Sequence, residues 1–111
     1  MKIQCKSGLL ELCILSILQQ GDCNGFEIYN QLERDVKISE GTIYPTLHRL
    51  VKEGSIEIYY KQIEEDKKRK YYKLTNQGET RVQTLKREWD QLSQGVSHII
   101  RGDNPCKGKN L

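Results

Sequence analysis

The twelve residues SEGTIYPTLHRL, Ser39 to Leu50, hold the densest set of groups able to act on a polyanion. Ser39 and Thr42 offer hydroxyls at a helix start, where free backbone N–H groups suit a phosphate. Tyr44, His48 and Arg49 add hydrogen-bond donors and flat surfaces. Wound at about 100° per residue, Ile43, Leu47, Leu50 and Val51 fall on one arc, which is a core face. The opposite arc carries Gly41, Pro45, His48, Arg49 and Lys52, with Thr42 and Tyr44 at its margins. That surface can face a nucleic-acid groove; the plain alternative is a solvated helix face.

Pro45 costs about 3 kcal/mol in an ordinary helix interior. Two arrangements make it tolerable. With Ser39 as N-cap, Pro45 lies on the outer face, and the Gly41 carbonyl that loses its donor meets solvent or a ligand. With Thr42 as N-cap, Pro45 falls among the first N–H positions, which lack helical partners in any case.

A second basic set is KKRK, Lys67 to Lys70, with Lys61 and Lys73 nearby. The flanking segments alternate as strands do: Ile56, Ile58 and Tyr60 against Glu57, Tyr59 and Lys61, and Tyr72 and Leu74 against Arg69, Tyr71 and Lys73. EEDKK is then the tip of a β-hairpin. Lysines and arginine on such a projection reach backbone phosphates or a minor groove. Glu64, Glu65 and Asp66 oppose this unless the turn aims them away, and a solvated tip with local ion pairs is the competing reading.

Other chemistries find no support. His48 and His98 are far apart in the chain, and neither a carboxylate pair, a nucleophile elbow nor a phosphate-cradling glycine loop occurs. Cys5, Cys13, Cys23 and Cys106 form no CxxC and have no histidine at metal-ligand spacing. No metal or cofactor is expected. Cys13 falls in an apolar stripe as a small buried thiol, and Cys106 lies in a polar tail. A thiol sensor built on Cys5 or Cys106 is a variant of the nucleic-acid reading.

These sets need elements to hold them. A first helix over 7–20 carries Leu10, Cys13, Ile14, Ile17 and Leu18 as its stripe, and Gly21 stops it. GDCNG is turn chemistry, and Asn24 with Glu27 resembles a capping box that opens a second helix through Arg34. Phe26, Ile28, Tyr29 and Leu32 give that helix its apolar side. The third helix runs from Ser39 to about Glu53, and Gly54 ends it. The hairpin follows, and Thr75 caps a long helix from Asn76 to Arg101. The fold class is mainly α (α+β), a winged helix-turn-helix with a β-hairpin wing. The chain divides into a winged domain over 1–75, a dimerisation helix over 76–101 and a flexible tail over 102–111.

Bulk properties agree. A chain of 111 residues, 36% hydrophobic and 30% charged, is a single soluble globular domain with a thin core. A net charge of +3 permits a polyanionic partner without demanding one. Glu11 interrupts the run LLELCILSIL, which is too short to span a bilayer and lacks a cleavage site. A cytoplasmic protein in a reducing compartment is expected.

Val82, Leu85, Trp89, Leu92, Val96 and Ile99 repeat as a heptad seam. A winged module needs no such helix to complete its core, so the seam is expected to pack against a second subunit. Folding back onto its own domain is the alternative. Trp89 is either a core anchor or a flat wall for an aromatic ligand between subunits.

The chain resembles the PadR family of transcriptional regulators from about Gly8 to Ile100. The resemblance rests on LLELCILSILQQGDCNGFEIYNQL, ISEGTIYPTLHRLVKEGSI and DKKRKYYKLTNQGE. The single last helix matches the short subgroup. The resemblance implies a cytoplasmic homodimeric bacterial regulator, usually a repressor, that grips an operator with its third helix and wing. It implies a dimer built by the last helix with help from the first. In some relatives a last-helix tryptophan stacks on a flat aromatic effector, and Trp89 stands at that kind of position. The rival class is a winged protein-interaction module, which steep salt dependence of duplex binding would exclude.

Overall fold

The computed structural model describes residues 5–102, with side chains from residue 8 onward. Its elements are α1 (Cys5–Gln20), β1 (Cys23–Asn24), α2 (Gly25–Val36), α3 (Glu40–Lys52), β2 (Ile56–Glu64), β3 (Lys67–Leu74) and α4 (Asn76–Arg101). The expected tail with Cys106 lies outside the described residues, as does the side chain of Cys5.

Local signals act as their chemistry requires. The Asn24 side chain accepts from the Glu27 N–H and the Glu27 carboxylate accepts from the Asn24 N–H, each at 2.9 Å, completing the capping box. The α2 helix ends on Lys37 in the left-handed region, at φ 56°. Ser39 is the N-cap of α3, so the start at Ser39 holds and the Thr42 alternative falls. Its side chain makes no cap bond; its carbonyl instead accepts from Thr42 N at 3.0 Å and Ile43 N at 3.2 Å. Thr75 caps α4 by accepting from Gly78 N at 3.0 Å.

The sheet has three antiparallel strands in the order β1-β3-β2, one more than the hairpin alone. GDCNG, read as a turn, supplies the extra strand: Cys23 pairs with Tyr72 and Asn24 with Tyr71. The hairpin turn is tighter than EEDKK, since Lys67 and Lys68 already belong to β3. A register shift between Gln62 and Glu64 absorbs the extra residue, as a β-bulge does.

The core gathers α1, the inner faces of α2 and α3, the base of the wing and the start of α4. The α1 helix is central: Leu10, Ile14, Leu15, Ile17 and Leu18 are all buried. Cys13 is only half-buried. Phe26, expected on the apolar side of α2, is 70% exposed, because it stands at the first turn beyond the reach of the core.

The largest departure concerns α4. Val82 and Leu85, expected at a seam between subunits, are completely buried in the chain's own core. Leu92 packs half-buried against that core. The helix does complete the winged module, contrary to the expectation. Gly78 makes this approach feasible: a Cβ there would collide with the Ser55 carbonyl oxygen and lie 2.7 Å from Leu74 Cδ1. The distal part of the seam is different, with Val96 45% and Ile99 72% exposed.

Candidate nucleic-acid interface

The core face of α3 is fixed by Ile43, Leu47 and Leu50, all buried. That burial turns Thr42, Tyr44, Pro45 and His48 outward, and each is exposed. The rings of Tyr44 and His48 stack at 6.3 Å between centroids and 25° between planes. The Ser39 and Thr42 hydroxyls meet at 3.4 Å at the start of the helix. Pro45 and Gly41 are both exposed on the outer face, and a Cβ on Gly41 would meet nothing within 4 Å.

Arg49 is placed differently from the rest. Its Nη1 donates to both carboxylate oxygens of Glu53 at 3.0 Å, and its Nη2 donates to Glu11 at 3.3 Å. Glu11, on α1, is buried and also accepts from Arg81 Nε of α4 at 2.7 Å. Burial works first against the Glu11 charge, but the hydrogen bonds and charges of Arg81 and then Arg49 outweigh it and hold the carboxyl below the ordinary glutamate range. Arg49 therefore ties α3 to the body of the protein through both Nη1 and Nη2.

The strand register sorts the wing into two faces. Directly opposed residues share a face, so Ile56–Leu74, Ile58–Tyr72, Tyr60–Lys70 and Gln62–Lys68 form one and Glu57–Lys73, Tyr59–Tyr71 and Lys61–Arg69 the other. Lys68 and Lys70 thus stand on one side, Lys61 and Arg69 on the other. On the second face Tyr59 stacks on Tyr71 at 5.7 Å, Tyr59 donates to Asp22 at 2.7 Å, and Lys61 Nζ lies 5.4 Å from the Tyr71 ring centroid. Lys67, at the tip, pairs with Glu64 at 3.7 Å, so part of the acidic triplet neutralises its own wing. On the first face Tyr72, Tyr60 and Tyr44 of α3 act on the Lys70 ammonium.

A groove of about 730 Å³ lies beside this surface, lined among others by Leu9, Leu12, Cys13, Ile38, Ser39, Thr42 and Trp89. Trp89 is 40% exposed there, so it is no core anchor within this chain. Burial pushes the Cys13 thiol up. Among the described residues no group of three or more His, Cys, Asp and Glu could hold a metal, and no helix is long and apolar enough to cross a membrane.

Comparison with known proteins places this architecture. The model of the transcriptional regulator PadR-like family matches residues 14–84. A PadR-like transcriptional regulator of Bacillus cereus is 37% identical, with 84% of this chain and 92% of that one covered and a TM-score of 0.77. The structure of smu.1704 from Streptococcus mutans is 32% identical, covers 92% of this chain and 95% of its own, and has a TM-score of 0.80. Bacillus subtilis PadR, solved in complex with operator DNA, is 25% identical with a TM-score of 0.61, covering 68% of this chain and 45% of that one.

Proposed function

The chain belongs to the PadR-like family of transcriptional regulators, and from that premise we propose that it is a dimeric, non-catalytic, cytoplasmic repressor of operator DNA. One observation carries the reading. The outer face of α3 leaves Thr42, Tyr44, Pro45 and His48 exposed, and the same fold carries a wing whose Lys61, Lys67, Lys68 and Arg69 are exposed and whose Lys70 shares a face with Tyr60. The geometry suits α3 in a major groove and the wing on the adjoining backbone or minor groove. Ser39, Lys61, Lys67, Lys68, Arg69 and Lys70 supply further phosphate contacts. Arg49 positions α3 rather than reading bases.

The second subunit packs on the distal half of α4, where Val96, Ile99 and Ile100 are exposed. Residues 1–75 act as the reading domain and 76–101 as the dimerisation helix, with the first turns of that helix shared by both. A small aromatic effector enters the groove against Trp89, whose partial exposure supports stacking.

The test is a titration of the purified protein with labelled duplex from its own upstream region, at several salt concentrations and with unrelated duplex as competitor. Tight, salt-sensitive and sequence-selective binding is expected. Binding with no salt dependence would exclude the phosphate contacts. It would leave a protein-interaction module.

A further inference from the structure

The cleft between α3 and the wing holds one cation that differs from the others. Lys70 is half-buried, whereas Lys61 and Lys67 to Arg69 are exposed. Its register partner is Tyr60, the first pair on the inner wing face to emerge from the core, and Tyr60 is 63% exposed. Its Nζ lies 5.5 Å from the Tyr72 ring centroid. Tyr44, on α3, is near enough to act on the same ammonium. Tyr29, on α2, is near enough to feel Tyr72, Glu40, Tyr44 and Lys70.

This ammonium has no carboxylate partner. The ion pairs among the described residues engage Arg34, Arg49, Lys67 and Arg81, and none engages Lys70. A partly desolvated cation beside phenols, with Tyr72 as its hydrogen-bond partner, keeps capacity for an anion. The phenol groups supply donors for the same anion, and their rings fit the apolar sugar edge of a nucleic-acid backbone. The position also matters. A backbone passing from the groove occupied by α3 to the groove reached by the wing must cross between these two elements.

We propose that Lys70, Tyr44 and Tyr60 form a seat for a single phosphodiester of that crossing strand, fixing the register of α3 on the duplex. The proposal rests on the operator-binding reading and adds Tyr60 to the residues of that surface. The seat acts on any sequence, because a phosphate carries no base identity.

The experiment uses the full chain and a generic duplex of about 30 base pairs, long enough for half-sites one helical turn apart. Affinity is measured against salt concentration for wild type, Lys70→Gln, Lys70→Arg, Tyr60→Phe, Lys67→Gln and His48→Ala. Lys70→Gln is expected to weaken binding about 10-fold and to lower the log–log salt slope by about one per subunit. Lys70→Arg should restore the slope. Tyr60→Phe should weaken binding roughly 5-fold with the slope unchanged, the scale of one lost hydrogen bond. Lys67→Gln should lose less than Lys70→Gln, since Glu64 already neutralises Lys67. Thermal melts confirm that each variant is folded. If folded Lys70→Gln and Tyr60→Phe bind as wild type while His48→Ala weakens binding, the seat is wrong and the operator reading stands. If the wild type shows no salt-sensitive duplex binding, both fall.

Discussion

The buried carboxylate of Glu11 makes a quantitative prediction. It is 4% exposed at the side chain and held by Arg81 and Arg49, which are 41% and 40% exposed. Removing one partner of a fully buried ion pair costs about 3–5 kcal/mol, whereas exposed pairs are worth at most about 1 kcal/mol. The half-exposed arginines place this node between those limits. Arg81→Ala removes the 2.7 Å contact and a second at 3.4 Å, leaving Glu11 with Arg49 alone. We expect a loss of about 2 kcal/mol, or roughly 10 °C in Tm for a chain of this size. Arg49→Ala removes the 3.3 Å contact to Glu11 and the exposed pair with Glu53, so about 1 kcal/mol is expected. Glu11→Leu should be close to neutral, because it removes the buried charge and lets both arginines turn to water.

The same node sets a pH dependence. The Glu11 carboxyl is lowered in the folded state, so its contribution is complete above the unfolded glutamate pKa of about 4.3 and is lost as pH falls through the folded value. Glu11→Leu should flatten the acid limb of a Tm-versus-pH curve in that range. Melts at fixed protein concentration, by circular dichroism, measure both effects. Arg87→Ala, on an exposed position of the same helix, is the control. If Arg81→Ala shifts Tm no more than Arg87→Ala, or if Glu11→Leu unfolds the protein, the reasoning about this ion cluster is wrong.

Gly78→Ala forces a methyl into the Ser55 carbonyl, and a destabilisation of about 2–3 kcal/mol is expected in the same melts; a neutral outcome would mean that α4 does not press on this loop. Val96→Asp with Ile99→Asp should give folded monomers in sedimentation, because both side chains are exposed in the single chain; a surviving dimer would remove the distal α4 face as the interface. Thr42→Ala with His48→Ala should weaken operator binding by about 1–3 kcal/mol per lost contact while leaving Tm within about 0.5 kcal/mol of wild type. Unchanged affinity in a gel-shift titration would refute α3 as the reading helix.

Most of the fold was legible because its signals are local. The Asn24–Glu27 box, the Thr75 cap and the alternation of the hairpin each depend on residues a few positions apart. The helices therefore fall close to where the sequence places them, α4 at Asn76–Arg101 included. The two residues of β1 carry no such signal, since two positions cannot show an alternation and their pairing partner is Tyr71–Tyr72, far along the chain. The heptad reading of α4 found a true apolar stripe but assigned it to one neighbour. A stripe records that a face is buried, not what buries it. Here α1 covers Val82 and Leu85, and the same stripe runs on past the end of the core.

Arg49 shows why site residues are harder to read than elements. On the wheel it lies on the outer arc with His48 and Lys52, and its charge suits a phosphate. Its guanidinium nevertheless reaches sideways to Glu53, four residues on, and to Glu11, thirty-eight residues back. The first contact has a sequence signal, an opposite charge one helical turn away. The second has a weaker one: a lone carboxylate inside LLELCILSIL. A glutamate in a central apolar helix is tolerable only if cations from elsewhere in the fold reach it. It therefore demands partners among the arginines that otherwise look free. That demand engages Arg49 and Arg81 with Glu11. Among the described residues, Lys70 is then a half-buried cation for which the fold supplies neighbours but no ion-paired carboxylate.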